Sequence, residues 1–560
     1  MAGNKKYILL GFILFLALGL RLYNLGGFEV TGDEGSYAYR GIGWNDFMVS
    51  TTMNTPWNWF IDQNLPLWTQ LSFFDHPPLH FAAIWLSTHL LGISLLTVRL
   101  PSAIFGVLSV LMIILIFYRF GWEKIGLWSG LFLAVLPWHI WISRQAQQES
   151  LLIFLILFII YLILGIDNKK APYWLITGIV IGLAFLTKYS AVVIIPLLIW
   201  YFFSKKWYKE PKFWLLALST LIVVSPVIIY NLKFYQLRGH FDLQFSRLLH
   251  QNLSKDWPAN VQMIVQGSTA DFKSWPLLIN QWLSLGGVLI IIIGLINGIF
   301  SHSKILREKW FWGYGLLAIG ITIAAITSFD SIRGSVLIPF FLLAFGLSLK
   351  LLPQRFKINL ILPIIALLIL LPAVINIYGD YLNWPSYLSG SFKPADNGFI
   401  AWEKWLAEKN PAQLKPIHFS SINEWAQRLY DLTLETEEPI ILFDHRFNWF
   451  ALNWHFLRHS FYTTNYPVIH PTIFMNFLLN DPKLPQKLVN KKIIYLQNLD
   501  YNRGAKSIED EQTKLFDALI NHLIDKQKVQ STLIVNSHDE NVAEIWQLEW
   551  DANIKLKPTE

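Results

Sequence analysis

Asp33 and Glu34 stand side by side in TGDEGSYAYR, just past the first apolar segment of the chain. Adjacent carboxylates at such a boundary suit one of two tasks. In the first, one carboxylate takes a proton from an acceptor hydroxyl or amide while its neighbour orients it or holds a cation. In the second, Asp33 or Thr31 caps an interfacial helix, accepting backbone N–H bonds and complementing the helix dipole. The same stretch ends in DHPPLH, where two prolines stiffen the backbone behind Asp75 and His76 as the chain returns to apolar sequence. A carboxylate beside an imidazole binds a divalent metal or an anionic head group, and an ordinary turn explains the prolines equally well.

Cations follow at similar boundaries. Arg144 and Glu149 flank the junction SRQAQQES, Lys188 sits in FLTKYS with hardly any loop, and Arg333 follows SFDSI. A cation costs roughly 2.5 to 3.5 kcal/mol at the centre of a bilayer and less at its edge, so snorkelling accounts for each one alone. Several together on the outer side oppose the usual charge bias. Converging on paired carboxylates, they would form a site for an anionic phosphate group next to a base.

The elements that must position these residues are membrane helices. Of 560 residues 54% are hydrophobic, 16% aromatic and only 15% charged, a composition no soluble fold of this size carries. The net charge of +7 lies in short clusters between apolar stretches and forms no continuous stripe, which argues against a nucleic-acid partner. There is no cysteine, so disulfides, thiolate zinc sites and thiol nucleophiles are excluded. Lys5 and Lys6 precede an apolar run, but no small-residue cleavage pattern follows, so the run reads as a retained first helix.

The hydropathy pattern predicts about eleven spans, near 7–25, 99–118, 125–142, 150–166, 172–187, 190–204, 213–231, 278–300, 310–328, 334–352 and 358–378. Residues 77–95 are apolar but short and interrupted by His80 and His89. Treating them as a horizontal or re-entrant helix puts the basic clusters at 119–124, 169–170, 205–212, 304–309 and 350–357 on the cytoplasmic side with Lys5 and Lys6. The outer face then receives loops 26–98 and 232–277 and everything beyond residue 378, in a multi-pass protein of the plasma membrane. Loop 232–277, with Lys233, Arg238, His240, Arg247 and His250, reads as a lid or as a surface amphipathic helix, and His240 is a candidate second metal ligand.

From residue 379 the apolar runs shrink to strand length, at 439–443, 491–496 and 531–535, with helical spacing at 422–435 and 507–525. That alternation predicts a soluble α/β domain over 379–560, following a membrane domain over 1–378.

At these residues the chain resembles the GT-C superfamily of polyprenyl-phosphate-dependent glycosyltransferases, in its protein O-mannosyltransferase and lipid A aminoarabinose transferase branches. The resemblance covers about residues 7–350, through TGDEGSYAYR, DHPPL, VRLPSAIFG, SRQAQQES, GLAFLTKYSAVVIIP and RGSVLIPFFLLAFG. It implies a GT-C-like fold and transfer of a sugar from a polyprenyl-phosphate donor to an acceptor outside the cytoplasm, which would be a protein, lipid A or a glycan. Asp33 matches the catalytic carboxylate and Glu34 its acidic neighbour. His76, Arg99, Arg144, Lys188 and Arg333 match basic positions, with Lys188 and Arg333 assigned to the donor phosphate first and Glu149 supporting Arg144. Asp75 falls on an acidic metal position, although His76 replaces the lysine of the aminoarabinose branch, so a divalent ion is left open.

Two rival readings use the same features. A transporter or flippase of lipid-linked sugars also has many spans and edge charges, but it concentrates ionisable groups near the midplane, where this chain is plainly aliphatic. A structural assembly subunit would not need the full set of carboxylates and cations.

Overall fold

The structure is a computed structural model that describes residues 3–26, 30, 33–42, 76–166, 171–251, 275–300 and 332–351, and part of 313–321. Beyond these it describes most of 439–444, 468–499, 511–535 and 541–550, with a few single residues. Asp75, and the segments expected to span at 358–378 and over most of 310–328, lie outside the described residues. The described residues fall into two compact units. One is drawn from 1–27, 76–237 and 267–417, and the other from 28–75, 238–266 and 418–560.

The first unit is a helical bundle. It begins with α1 (Gly3–Leu22), and the second unit contributes the next helix, α2 (Glu34–Gly41). The bundle resumes with α3 (Leu79–Leu91), α4 (Leu95–Arg119), α5 (Glu123–Val135), α6 (Pro137–Ser143), α7 (Gln148–Gly165) and α8 (Ala171–Thr187). A 3-10 turn, Tyr189–Ile194, leads into α9 (Ile195–Ser204), followed by α10 (Phe213–Arg238). After α11 (Leu243–Leu248), which belongs to the second unit, come α12 (Trp275–Ile299), a 3-10 turn at Arg333–Leu337, and α13 (Ile338–Leu351).

Among the described residues four helices can cross a membrane by length and composition: Leu95–Arg119, Gln148–Gly165, Phe213–Gln236 and Arg333–Leu351. α5 and α6 together make a fifth, bent by 64°. α3, expected as the segment that does not cross, has 13 residues. At ~1.5 Å per residue it reaches about 20 Å, short of a ~30 Å hydrocarbon core.

α4 is the centre of the bundle and packs against α1, α3, α5, α6 and α7. Ser94 starts it with a capping box, its Oγ accepting from Thr97 N at 3.2 Å while its own N–H donates to Thr97 Oγ1 at 3.0 Å. Small residues let the neighbours close in. Ser150 Oγ donates to Ser102 O at 2.6 Å and Ser102 Oγ to Gln147 O at 3.2 Å, which fixes the start of α7 against α4. A Cβ on Gly346 of α13 would run into the ring of Phe117, so glycine alone permits that approach.

The bend between α5 and α6 has a chemical cause and a chemical remedy. Pro137 has no N–H for Leu133 O, and the turn in the chain removes the partner of Ala134 O. Arg21, fully buried near the end of α1, supplies both, its Nη2 donating to Leu133 O at 3.2 Å and its Nη1 to Ala134 O at 3.0 Å. Its Nη1 also donates to Ala17 O at 3.1 Å, and its Nη2 lies 2.7 Å from His139 Nδ1, which accepts. The guanidinium fits because residue 106 is glycine, where a Cβ would stand 2.9 Å from Arg21 Nε.

The second unit contains a five-stranded mixed sheet of β1 (Ile440–Phe443), β2 (Val468–Ile469), β3 (Lys492–Asn498), β4 (Thr532–Val535) and β5 (Asn541–Glu549), in the order β2-β1-β3-β5-β4. β1 is parallel to β2 and β3, while β5 is antiparallel to β3 and β4. The strands expected at 439–443, 491–496 and 531–535 correspond to β1, β3 and β4, and the helix expected at 507–525 to α15 (Glu511–Gln527), which follows α14 (Pro471–Asn480). Alternate strand residues, Ile440 and Leu442 with Ile493 and Tyr495, share a core with Phe474 and Met475 of α14 and Phe516, Leu519 and Leu523 of α15.

Candidate active site

Asp33 occupies the cap position of α2, and its carbonyl accepts from Tyr37 N at 3.0 Å. Its side chain is exposed and makes no capping hydrogen bond, so the capping alternative is not what this carboxylate does here. Glu34, the first helical residue, is buried, so two adjacent carboxylates occupy opposite environments. A solvated carboxylate can accept a proton from an incoming nucleophile, and a buried one is suited to holding its surroundings in place.

In the first unit the sequence-predicted residues meet at the helix ends. Lys188 breaks the helical path after α8 with an extended backbone (φ −162°, ψ 140°), and its amine forms an ion pair with Glu149 in the first turn of α7. Glu149 is 1% exposed, and its second oxygen, Oε2, has no hydrogen-bond partner among the described residues. Next to it Gln148 is fully buried with both carboxamide atoms lacking a partner among the described residues, as is Gln145 Oε1. An unpaired buried polar group costs about 1 to 3 kcal/mol, so several together mark a place where water or a ligand completes the bonding.

His80 belongs to the same place. Its Nε2–H donates to Ala146 O at 3.0 Å, joining the start of α3 to the loop before α7. Its pKa is lowered to about 4, chiefly by burial and also by the nearby charges of Lys188 and His76, against the raising effect of the Ala146 bond. His80 is therefore neutral at physiological pH, and His76 and Lys188 lie within electrostatic reach of it. The 3-10 turn that opens with Arg333 packs against both α7 and the turn following Lys188, and Trp138 Nε1 donates to Ser335 Oγ at 2.7 Å. His76 and His80, Glu149, Lys188 and Arg333 thus come from four separate stretches of sequence to one end of the bundle.

Arg99 and Arg144, expected at the donor phosphate, are placed differently. Arg144 is 4% exposed and its Nη1 donates to the carbonyls of Leu20 at 3.2 Å, Arg21 at 3.3 Å and Tyr23 at 2.7 Å. Arg99 is 1% exposed and donates from Nη1 to Leu25 O at 3.0 Å. Helix C-termini leave carbonyls without intrahelical donors, and two buried arginines supply them here. These bonds anchor residues 20–25, the chain that leads to Asp33. Glu149, expected to pair with Arg144, pairs with Lys188 instead.

The residues missed by sequence reasoning are His80, Gln145 and Gln148. Their signal was polarity without charge inside apolar sequence, QAQQ in particular, which hydropathy and charge counting both overlook.

The expected metal ligands were Asp75 and His240, and Asp75 lies outside the described residues. No three His, Asp or Glu side chains converge among them, and His240, in the second unit, has its Nδ1 2.6 Å from Phe241 O. With Asp75 outside the described residues, the chemistry below uses no ion.

Residues 75–230 match the family model of dolichyl-phosphate-mannose-protein mannosyltransferases. No curated protein matches the chain. Among solved structures it is similar to ArnT from Cupriavidus metallidurans in the apo state, with a TM-score of 0.58 at 14% identity over 97% of this chain and 98% of that one. The same enzyme bound to undecaprenyl phosphate gives 0.55 at 13% over the same shares. The archaeal oligosaccharyltransferase AglB from Archaeoglobus fulgidus, in complex with an inhibitory peptide and a dolichol-phosphate, gives 0.51 at 12%, covering 99% of this chain and 76% of that one. The resemblance read from short motifs is thereby shown at the level of fold: the chain has the architecture of GT-C glycosyltransferases, with the mannosyltransferase family signature over residues 75–230.

Proposed function

We propose that the chain is a membrane glycosyltransferase that moves a sugar from a polyprenyl-phosphate donor to an acceptor outside the cytoplasm, with inversion at the anomeric carbon. The observation that carries the reading is the part-buried Lys188–Glu149 pair, beside amides that lack partners among the described residues, at the bundle end where Arg333 also stands. A polar cluster of this kind in a bundle otherwise built for lipid is costly unless it binds something polar. Two similar folds supply a chemical class for it, since ArnT was solved with undecaprenyl phosphate and AglB with a dolichol-phosphate.

The chemistry follows from charge. The bond between the anomeric carbon and the phosphate oxygen breaks, leaving a polyprenyl phosphate whose growing negative charge needs cations, and Lys188 and Arg333 are assigned that task. The acceptor oxygen forms the new bond from the opposite face, and its proton passes to Asp33, the exposed carboxylate. Glu149 holds the Lys188 amine in place until phosphate competes for it. In this reading the protein has about eleven spans in the plasma membrane, with the active end and residues 379–560, a soluble α/β domain, outside the cytoplasm. The acceptor is a protein, lipid A or a glycan.

Membranes containing the protein, incubated with a panel of polyprenyl-phosphate sugars and analysed by mass spectrometry, test the reading. Transfer that requires both Lys188 and Asp33 is expected. Undiminished transfer by Lys188→Gln would remove the phosphate assignment.

A further inference from the structure

At the other end of α7 from Glu149 lies a cavity of about 290 Å³ that the glycosyl-transfer chemistry does not use. Ile160, Ile163 and Leu164 line it from α7, so at ~1.5 Å per residue it sits roughly 20 Å along the helix from the Lys188–Glu149 pair. Phe117, Trp122 and Leu347 are among its apolar walls. Trp200, 41% exposed, also lines it and opens it sideways toward the bundle surface.

The walls are apolar but the edge is cationic. Lys205, at the end of α9, lines the cavity directly. Lys350, in the last turn of α13, holds its amine 5.7 Å from the centre of the Trp122 ring, one aromatic side chain away from the cavity. Arg119 lies 3.9 Å over the ring of Tyr161, with its guanidinium so close to Gly165 that a Cβ there would touch it. These cations fall at the helix ends where apolar sequence gives way to the basic clusters, the depth at which lipid head groups lie. A space of this size is at the small end of ligand pockets, ~300 to 1,000 Å³, and suits one flexible chain better than a folded polar molecule.

We propose that this cavity is a binding site for one acyl chain of an anionic phospholipid, with the phosphodiester of the lipid held by Lys205 and Lys350. The charge arrangement selects the occupant. A zwitterionic lipid brings its own cation to a cationic rim, whereas a phosphatidylglycerol brings only the anion. The donor's polyprenyl phosphate is the other lipid anion in the reading above, but its reacting end belongs at the opposite ends of the helices.

The test is native mass spectrometry of the full chain, delipidated in detergent and titrated with dioleoyl phosphatidylglycerol, dioleoyl phosphatidylcholine or undecaprenyl phosphate. The protein is expected to retain one phosphatidylglycerol at concentrations where it retains no phosphatidylcholine. Lys205→Gln, an exposed position whose change leaves the helix intact, is expected to weaken that retention about fivefold. Leu347→Trp, which fills the cavity, is expected to abolish it, with a thermal melt checking that the variant is folded. Equal retention of phosphatidylcholine, retention unchanged in Lys205→Gln, or displacement of phosphatidylglycerol by undecaprenyl phosphate would each overturn the proposal. None of these outcomes depends on sugar transfer, so the site stands or falls separately from the enzyme reading.

Discussion

Replacing Arg21 with methionine is expected to destabilise the bundle at the bend between α5 and α6, and the reason can be isolated. The side chain of methionine fills similar space but donates nothing, so the carbonyls of Leu133 and Ala134, at 3.2 and 3.0 Å from the guanidinium, lose their donors in a buried setting. At about 1 to 3 kcal/mol for each orphaned group the loss should be about 2 to 6 kcal/mol. Part of that demand is created by Pro137, which has no N–H for Leu133 O. Pro137→Ala restores a donor and the path toward a straight helix, so the double variant should lose less than the sum of the two single variants, by at least about 1 kcal/mol. Reversible unfolding in mixed micelles, followed by tryptophan fluorescence, supplies the four free energies of the cycle. Strict additivity would show that Arg21 is not the substitute donor for the broken helix, and the account of the bend would fail.

Other outcomes follow from the site. Gln148→Leu removes an amide that is fully buried and lacks a partner among the described residues, so stability should hold or rise by about 1 kcal/mol while transfer falls at least tenfold; a large loss of stability with transfer intact would make the amide structural. Lys188→Gln should lower the turnover by about 100-fold to 1,000-fold, read from single-turnover transfer, and should also lower the melting temperature, because buried Glu149 loses its ion-pair partner. His80 should make stability depend on pH. Its folded pKa of about 4 lies below the ordinary value of 6.5, so the unfolded chain binds more protons between those values and stability is lost as pH falls from about 6.5 to 4. The full effect is about 3 kcal/mol, and His80→Gln should flatten the slope in that window, as denaturation at a series of pH values would show.

The sequence makes the bundle readable because lipid imposes a coarse rule: long apolar helices and basic ends. It separates Leu79–Leu91 from the spans by its two histidines, and three of the strands by their short β-branched runs. It does not disclose partners. Arg99, Arg144, Lys188 and Arg333 look alike as isolated cations at boundaries, yet Arg99 and Arg144 donate to the end of α1 while Lys188 faces a carboxylate. Only the three-dimensional path of the chain decides which cation is spent on backbone carbonyls. His80 and Gln148 escaped for another reason, since a neutral polar side chain barely alters hydropathy and its meaning depends on whether the buried atoms find bonds. Asp33 was legible only as one of two alternatives, because a catalytic carboxylate cannot be told from a helix cap until the cap bond is looked for.

The most direct measurement is transfer by purified protein in bilayers, supplied with polyprenyl-phosphate sugars and an acceptor extract, comparing the unaltered chain with Asp33→Asn by product mass. The account predicts a sugar-sized mass gain on an acceptor, with inverted anomeric configuration, that disappears in Asp33→Asn while the variant still binds polyprenyl phosphate. Equal transfer by the variant, or no transfer from any polyprenyl-phosphate sugar by the unaltered protein, would contradict it.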